Sequence, residues 1–133
     1  MRVLIVDDYE VLRAGIRTLL QTNPEIEVCG EAANGLEALE KVAQLKPDLI
    51  ILDIDMPVLD GFSAAKEISK LSPSVPILLM SMHTSSIVLN VAKSSGASGY
   101  VAKNQAPFML LRAVETIAQK QTFFPSEGAF IQP

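Results

Sequence analysis

Acidic side chains are concentrated just after two short apolar runs of the chain. Asp7 and Asp8 directly follow the first run, and Asp53, Asp55 and Asp60 lie at or just after the end of another. If the fold brings these carboxylates together, they repel each other and raise the pKa of at least one, unless a cation neutralises them. Hard cations prefer oxygen ligands, and a small site that keeps several waters suits Mg²⁺ better than Ca²⁺. The pattern therefore predicts a divalent-ion site.

Two further polar side chains, Ser81 and Lys103, end later apolar runs. A metal ion, an ammonium group and a hydroxyl around one carboxylate are suited to phosphoryl transfer, because that chemistry needs positive charge on the three equatorial phosphoryl oxygens. An aspartate can itself be the nucleophile and form an aspartyl phosphate. Each residue also has an ordinary structural use: Asp7 and Asp8 could cap a helix, and the serine and lysine could be solvated strand ends. Their joint arrangement favours the functional interpretation.

Runs rich in Val, Ile and Leu alternate with segments of helical periodicity. Strands are predicted at 2–7, 25–32, 48–53, 75–81 and 98–103, and the last three helices at 62–71, 85–95 and 107–120. The first helix ends before Asn23 and Pro24, and the second begins at the cap residue Asn34 and ends before Pro47. The predicted inward positions are Val11, Leu12, Gly15, Ile16, Leu19 and Leu20 in the first helix, and Leu36, Leu39 and Val42 in the second.

The alternation of strands and helices predicts an α/β fold, with a five-stranded parallel sheet, right-handed crossovers and helices on both faces. Strands one, three and four are apolar at every position, which is typical of strands covered on both faces. The second strand alternates and the fifth contains Gly99 and Ala102, which favours edge positions and the order 2-1-3-4-5. In such sheets ligands bind beyond the carboxyl ends of the strands, so we expect the aspartates, Ser81 and Lys103 in one crevice.

Length and composition bound the class of protein. The 133 residues fit one domain, predicted over residues 1–121, with 122–133 as a linker or C-terminal tail. A composition of 49% hydrophobic and 20% charged residues excludes disordered and low-complexity classes. The single cysteine, Cys29, excludes an internal disulfide and favours a reducing compartment, so we expect a cytoplasmic protein. With a net charge of −4 and no spanning segment, we expect this segment itself to bind neither nucleic acid nor membrane.

Four motifs together resemble the receiver domain of two-component response regulators, over about residues 2–120. They are Asp7-Asp8 after an apolar strand, Asp53-Ile-Asp-Met-Pro57 with Asp60-Gly61, Ser81 after strand four, and Gly96-Ala-Ser-Gly-Tyr-Val-Ala-Lys103. The segment 11–20 and the run Ser81-Met-His83 further resemble the NarL/LuxR-type subgroup, which carries a helix-turn-helix output domain. The resemblance implies a flavodoxin-like fold. We assign no role to His83, because a single loop histidine is typically solvated.

The resemblance implies that Asp53 accepts a phosphoryl group from a sensor histidine kinase or, slowly, from a small phosphodonor. Such a domain assists its own phosphorylation and dephosphorylation but is not an enzyme acting on a separate substrate. By the same resemblance Mg²⁺ is the cofactor, held by Asp8, Asp53 and the backbone carbonyl of Asp55, with Asp7 acting through water.

The resemblance also implies how the domain switches. Lys103 and Ser81 each bind a phosphoryl oxygen, and Tyr100 turns inward as Ser81 shifts, which relays the change to the face formed by helix four and strand five. Phosphorylation adds about −1.5 to −2 charge and three strong acceptors, so these contacts differ between the two states. The alternative for Tyr100 is a half-buried aromatic on an edge strand. We expect dimerisation on phosphorylation, and contact with DNA only through an output domain outside this sequence.

Asp53-Ile-Asp55 also resembles the DxD motif of haloacid-dehalogenase phosphatases, which form an aspartyl phosphate. In that family the motif follows the first strand and the chain has cap insertions. Here the motif follows the third strand and the chain is too short for such insertions. A flavodoxin-like cofactor binder is disfavoured because no Gly- or Ser/Thr-rich loop follows strand one. An interaction module without phosphorylation is disfavoured because Asp53 keeps its supporting residues.

Asn104 stands where the receiver family usually has proline. Since a non-proline cis peptide costs about 2.5–4 kcal/mol, the asparagine favours a trans Lys103–Asn104 bond.

Overall fold

The computed structural model of the chain describes residues 1–56, 59–82 and 85–125. The strands are β1 (Arg2–Val6), β2 (Glu27–Ala32), β3 (Leu49–Asp53), β4 (Ile77–Ser81) and β5 (Gly99–Ala102). The helices are α1 (Glu10–Leu20), α2 (Gly35–Leu45), α3 (Gly61–Leu71), α4 (Ser86–Ser94) and α5 (Ala106–Ala118), and a 3-10 turn, Lys103–Gln105, joins β5 to α5. These elements confirm the predicted alternation. Among the described residues, none of the helices could span a membrane.

All five strands pair in parallel in the order β2-β1-β3-β4-β5, which confirms the predicted topology. The interior strands β3 and β4 are buried at every position, and β1 at every position except Arg2. Burial on both faces explains why these runs contain no alternation of apolar and polar residues. The strand order reverses between β1 and β3, so a crevice forms beyond the carboxyl ends of these two strands.

Two apolar clusters hold the helices against the sheet. Helices α2, α3 and α4 pack on one face, and α1 and α5 pack on the other. Along β1, Leu4 and Val6 join the first cluster while Val3 and Ile5 join the second, as the two-residue repeat of a strand requires. Each fully buried side chain of this size contributes about 1.5–3 kcal/mol. The sheet is therefore a firm support for the residues at its edges.

Three positions predicted to face inward are exposed in the structure: Val11 (68%), Leu36 (54%) and Gly15. A helix turns about 100° per residue, so Val11 lies about 140° around the axis from the buried Ile16. In the same way Leu36 lies about 160° from the buried Ala38. The predicted stripes were thus too wide. Buried or packed against a cluster, as predicted, are Leu12, Ile16, Leu19, Leu20, Leu39 and Val42.

The segment after α5 packs along the edge strand β5. The Phe123 N–H donates to the Ser98 carbonyl, and the Tyr100 N–H donates to the Phe123 carbonyl, both at 2.9 Å. A Cβ on Gly99 would lie 2.8 Å from the Phe123 carbonyl oxygen, so the glycine permits this close approach. Phe123 and Phe124 are half-buried against the two clusters on opposite faces of the sheet. The stretch predicted as linker or tail therefore begins packed on the domain, and its residues 126–133 lie outside the described residues.

A chain that ends at Gln121 tests this packing. It loses two half-buried phenylalanines and two backbone hydrogen bonds, so we expect a free energy of unfolding lower by about 2–4 kcal/mol in urea titrations. The matched comparison is a chain that ends at Pro125, which keeps both phenylalanines and both hydrogen bonds and should unfold at a higher urea concentration. Equal midpoints for the two shortened chains would show that residues 122–125 do not stabilise the domain.

Candidate functional site

Four polar residues meet at one edge of the sheet because parallel strands end on the same side. Asp7 follows β1, Asp53 is the last residue of β3, Ser81 is the last residue of β4, and Lys103 follows β5. Ser81, Asp7 and Asp53 are each 1% exposed, and Lys103 is 9% exposed. Polar groups buried this deeply need partners within the protein.

Lys103 joins two carboxylates that come from distant parts of the chain. Its Nζ lies 2.9 Å from Asp7 Oδ2 and 3.0 Å from Asp53 Oδ2. Burial alone would lower the pKa of Lys103, but the hydrogen bonds and ion pairs with Asp7 and Asp53 outweigh it and raise the pKa. The ammonium group is therefore charged at neutral pH. The peptide between Lys103 and Asn104 is trans, as are all described peptide bonds, and in this conformation the side chain reaches both aspartates.

Asp53 is a buried carboxylate whose pKa is raised above its ordinary value. Burial raises its pKa to about 6 from the ordinary value of 3.8, and the neighbouring charge of Asp7 adds to the rise. The Asp55 N–H, which donates to Asp53 Oδ1 at 2.9 Å, and the Lys103 ammonium act in the opposite direction. Among the described residues, the buried Oδ2 atom has the ion pair with Lys103 but accepts no well-aligned hydrogen bond. This oxygen keeps the capacity to bind a further positive group.

The carboxylates of Asp7, Asp8 and Asp53 could hold a metal ion. Each offers one oxygen, and these three oxygens lie within 4.8 Å of one another. Ligands at about 2.1 Å from an octahedral ion lie within about 4.2 Å of each other, so small shifts of the side chains suffice. The helix-cap alternative fails for Asp8, because the N-cap of α1 is Tyr9 and no side chain caps that helix. Asp7 Oδ1 accepts the Tyr9 N–H at 2.8 Å, which leaves Oδ2 directed at Lys103.

Asp60 does not act with the other aspartates in the described structure. It is the N-cap of α3, where Oδ1 accepts the Ser63 N–H at 3.0 Å and Oδ2 accepts the Ser63 hydroxyl at 2.9 Å. The bond from the Ser63 N–H is the largest cause of the lowered pKa of Asp60. The next residue, Gly61, packs so closely that a Cβ there would collide with the Asp53 carbonyl oxygen. Asp60 thus helps to begin α3 behind the site.

A second set of contacts involves the side chain of Asp55, for which the sequence analysis assigns only the backbone carbonyl. Asp55 Oδ2 accepts the Ser81 hydroxyl at 2.7 Å and the Met82 N–H at 3.2 Å. Ser81 is also close to Tyr100, which is completely buried rather than half-exposed. Burial raises the pKa of Tyr100, and hydrogen bonding with the Ser81 side chain partly offsets the rise. The hydroxyl of Ser81 therefore donates to Asp55 and also lies close to Tyr100.

Arg13 on α1 is a further supporting residue that sequence reasoning missed. Its Nη1 donates to the Asp7 carbonyl at 2.6 Å and its Nε donates to Glu31 Oε1 at 3.2 Å. Arg17, one turn later, also pairs with Glu31. The two arginines thus link α1 to β2, and Arg13 also links α1 to the backbone of Asp7. The only signal in the sequence is a pair of arginines four residues apart beside the apolar stripe. Pro57 and His83, quoted among the motifs, lie outside the described residues.

Comparison with known proteins agrees with this geometry. The family model "Response regulator receiver domain" matches residues 3–115. The transcriptional regulatory protein LnrK of Bacillus subtilis (strain 168) is 35% identical over 127 residues, which cover 96% of this chain and 58% of LnrK. This chain thus spans little more than half the length of such curated relatives. The match gives no support to the haloacid-dehalogenase alternative.

Solved structures give the same assignment. A two-component response regulator of the LuxR family from Aurantimonas sp. SI85-9A1 has a TM-score of 0.91 at 32% identity, over 98% of this chain and 94% of that one. The isolated receiver domain of RcsB from Salmonella enterica serovar Typhimurium, solved with the phosphomimetic BeF₃⁻, has a TM-score of 0.90 at 26% identity, over 99% of both chains. Sequence match, sheet order and the residues at the strand ends agree: the chain belongs to the response regulator receiver domains, in the NarL/LuxR-type subgroup.

Proposed function

We propose that Asp53 is the phosphoacceptor of this receiver domain. The observation that carries the proposal is the buried contact of Lys103 with both Asp7 and Asp53, beside a third carboxylate, Asp8. In the transfer, an Asp53 oxygen attacks the phosphorus of a phosphohistidine and the P–N bond breaks. The electron pair remains on the imidazole nitrogen, which takes a proton from solvent. The product is an aspartyl phosphate.

The donor set fits Mg²⁺, because it consists of hard oxygen ligands around a buried oxygen that can still accept. We assign Asp8, Asp53 and the backbone carbonyl of Asp55 as direct ligands, and Asp7 as a ligand through water. When bound, the ion supplies positive charge that offsets both the carboxylates and the transferring phosphoryl group. Asp7 also helps to keep Lys103 at the site, since its Oδ2 lies 2.9 Å from the ammonium group.

Lys103 and Ser81 are assigned to the phosphoryl oxygens. Lys103 is already ion-paired with Asp53, so its ammonium needs only a small movement to follow a group attached there. Ser81 must turn away from Asp55, to which it donates in the unphosphorylated chain. That turn changes the surroundings of the buried Tyr100, the second residue of the proposed switch. Strand β5, which carries Tyr100, and helix α4, which packs in the same apolar cluster, form the face that responds.

The proposed partners are a sensor histidine kinase and, through the rest of a longer protein, DNA. LnrK is named a transcriptional regulatory protein, and this chain covers 58% of it. We propose that residues 122–133 lead from the receiver domain to a DNA-binding output domain, and that phosphorylation promotes a homodimer. The free Cys29 supports a cytoplasmic location, where thiols stay reduced. In this role the domain is a regulated phosphoacceptor rather than an enzyme with its own substrate.

Phosphorylation is tested directly by incubation with Mg²⁺ and acetyl phosphate, followed by intact mass measurement. We expect one added phosphoryl group on the parent chain and none on Asp53→Asn, which lacks the nucleophilic oxygen. The matched control is Asp60→Asn, which also loses one carboxylate but keeps a capping oxygen for α3; it should be phosphorylated like the parent. Equal modification of Asp53→Asn would refute the assignment.

Magnesium should stabilise the folded chain because the ion binds the folded state alone. At a concentration 100 times the dissociation constant, the free energy of unfolding rises by about 2.7 kcal/mol. Thermal unfolding with and without MgCl₂ measures this as an upward shift of Tm. Asp8→Asn should lose most of the shift, and since Asp8 is exposed this variant should fold normally. A full Mg²⁺ shift in Asp8→Asn would contradict the ligand assignment.

The raised pKa of Asp53 predicts a cost in stability at neutral pH. The folded chain holds this proton more tightly than the unfolded chain, so stability falls as pH rises from about 4 to about 6 and remains lower above. Removal of the charge in Asp53→Asn should therefore raise the free energy of unfolding by about 1–3 kcal/mol at pH 7.5, and by much less at pH 4. Urea titrations in EDTA measure the difference. The hypothesis is wrong if the gain is the same at both pH values.

A further inference from the structure

The carboxylate of Asp55 holds two donors at the end of β4, beside the proposed phosphorylation site. Asp55 Oδ2 accepts the Ser81 hydroxyl at 2.7 Å and the Met82 N–H at 3.2 Å. Hydrogen bonds to an ionised carboxylate are roughly twice as strong as those between neutral groups. The two donors are adjacent in the chain at the end of β4, so a single anionic oxygen fixes both the side chain of one and the backbone of the other.

Asp53, the last residue of β3, and Asp55, two residues later, bind different positive and donor groups. Asp53 has the ammonium of Lys103, whereas Asp55 has Ser81 and the Met82 N–H. The aspartates are themselves in contact, because the Asp55 N–H donates to Asp53 Oδ1 at 2.9 Å. A group added to Asp53 therefore arrives beside the Asp55 carboxylate and needs a hydroxyl that this carboxylate already binds.

We propose that the Asp55 carboxylate is a built-in competitor of the phosphoryl group, which holds Ser81 and the Met82 N–H in the unphosphorylated domain and thereby slows phosphorylation of Asp53. The inference rests on the proposed phosphoacceptor role of Asp53. We call the contact of Asp55 with Ser81 and Met82 the Asp55 latch. Only molecules in which the latch is open offer the Ser81 hydroxyl to an incoming group.

After transfer, the phosphoryl group and the Asp55 carboxylate compete for the Ser81 hydroxyl and the Met82 N–H. The charge of each anion and its number of acceptor oxygens decide which one binds these donors. The phosphoryl group brings about −1.5 to −2 charge and three acceptor oxygens, against one charge on Asp55. The latch therefore delays the reaction without preventing it. The carboxylate also repels the incoming phosphodonor, which is itself an anion, and this effect acts in the same direction as the competition for Ser81.

Substitutions of Asp55 separate the latch from the rest of the site. With acetyl phosphate and saturating Mg²⁺, we expect Asp55→Ala to be phosphorylated about tenfold faster than the parent, as for a latch closed about nine-tenths of the time. Asp55→Asn keeps an acceptor oxygen but loses the charge, so its rate should lie between the two. BeF₃⁻ should bind Asp55→Ala most tightly, Asp55→Asn less tightly and the parent least tightly. Asp60→Asn is the matched control, with an unchanged rate.

A second measurement reports the latch without any phosphorylation. Amide hydrogen exchange at Met82, followed by NMR, should be slow in the parent and faster in Asp55→Ala, because the variant removes the acceptor of that N–H. Amides in β3, such as Leu52, should exchange at the same rate in both chains, which shows that the variant is folded. Unchanged exchange at Met82 would contradict the latch.

The outcomes distinguish this inference from the proposed function. If the parent accepts a phosphoryl group on Asp53 and Asp55→Ala is no faster, the latch is refuted and the proposed function stands. If the parent accepts none on Asp53, the proposed function fails and the inference fails with it. Faster phosphorylation of Asp55→Ala together with faster Met82 exchange supports both.

Discussion

The ion pairs of one buried ammonium group with two buried carboxylates are the interaction on which the rest of the site depends. Lys103 lies within 3.0 Å of both Asp7 and Asp53, whose side chains are almost inaccessible to solvent. Removing Lys103 would leave two buried carboxylates without a counter-charge, and breaking a buried pair in this way typically costs about 3–5 kcal/mol. With Asp8 included, three carboxylates face one ammonium group. The two carboxylates in excess could be balanced by one divalent cation.

The carboxylate cluster depends on the stability of the apolar sheet that carries it. A cluster that repels itself must be held by something that is already stable, and the apolar strands β1, β3 and β4 provide that support through their two buried faces. Gly61 and the N-cap at Asp60 then turn the chain tightly behind Asp53, while Arg13 holds the Asp7 carbonyl from the side of α1. Repulsion among the carboxylates lowers the free energy of unfolding. Residues that take no part in the chemistry offset this loss.

The sequence predicts the sheet and the main cluster because both depend on local patterns. Continuous apolar runs identify interior strands, and parallel strands place their last residues at one edge, so Asp53, Ser81 and Lys103 could be brought together from position alone. Helix faces are less well determined, since a glycine or alanine can face the sheet as well as a leucine. In α2, for example, Gly35 and Ala38 are buried while Leu36 is exposed.

Side-chain partners across loops were not predictable in this way. The contact of Asp55 with Ser81 and Met82 depends on how two turns approach each other, and no periodicity encodes such an approach. The Asp55 side chain looks like a simple continuation of the acidic motif in the sequence. Phe123 is a similar case, because a parallel bridge to an edge strand requires only a glycine opposite and a free row of backbone groups.

Strand β5 links these two unpredicted features. Tyr100 lies on it with its ring in the same core cluster as Phe124 and its hydroxyl near Ser81, and its N–H donates to the Phe123 carbonyl. One residue thus contacts the site through its side chain and the segment after α5 through its backbone. A change at Ser81 that alters the packing of Tyr100 must act on an edge held by few backbone bonds, where displacement costs less than in the interior of the sheet. Tyr100 therefore links the Ser81 end of the site directly to residues 122–125.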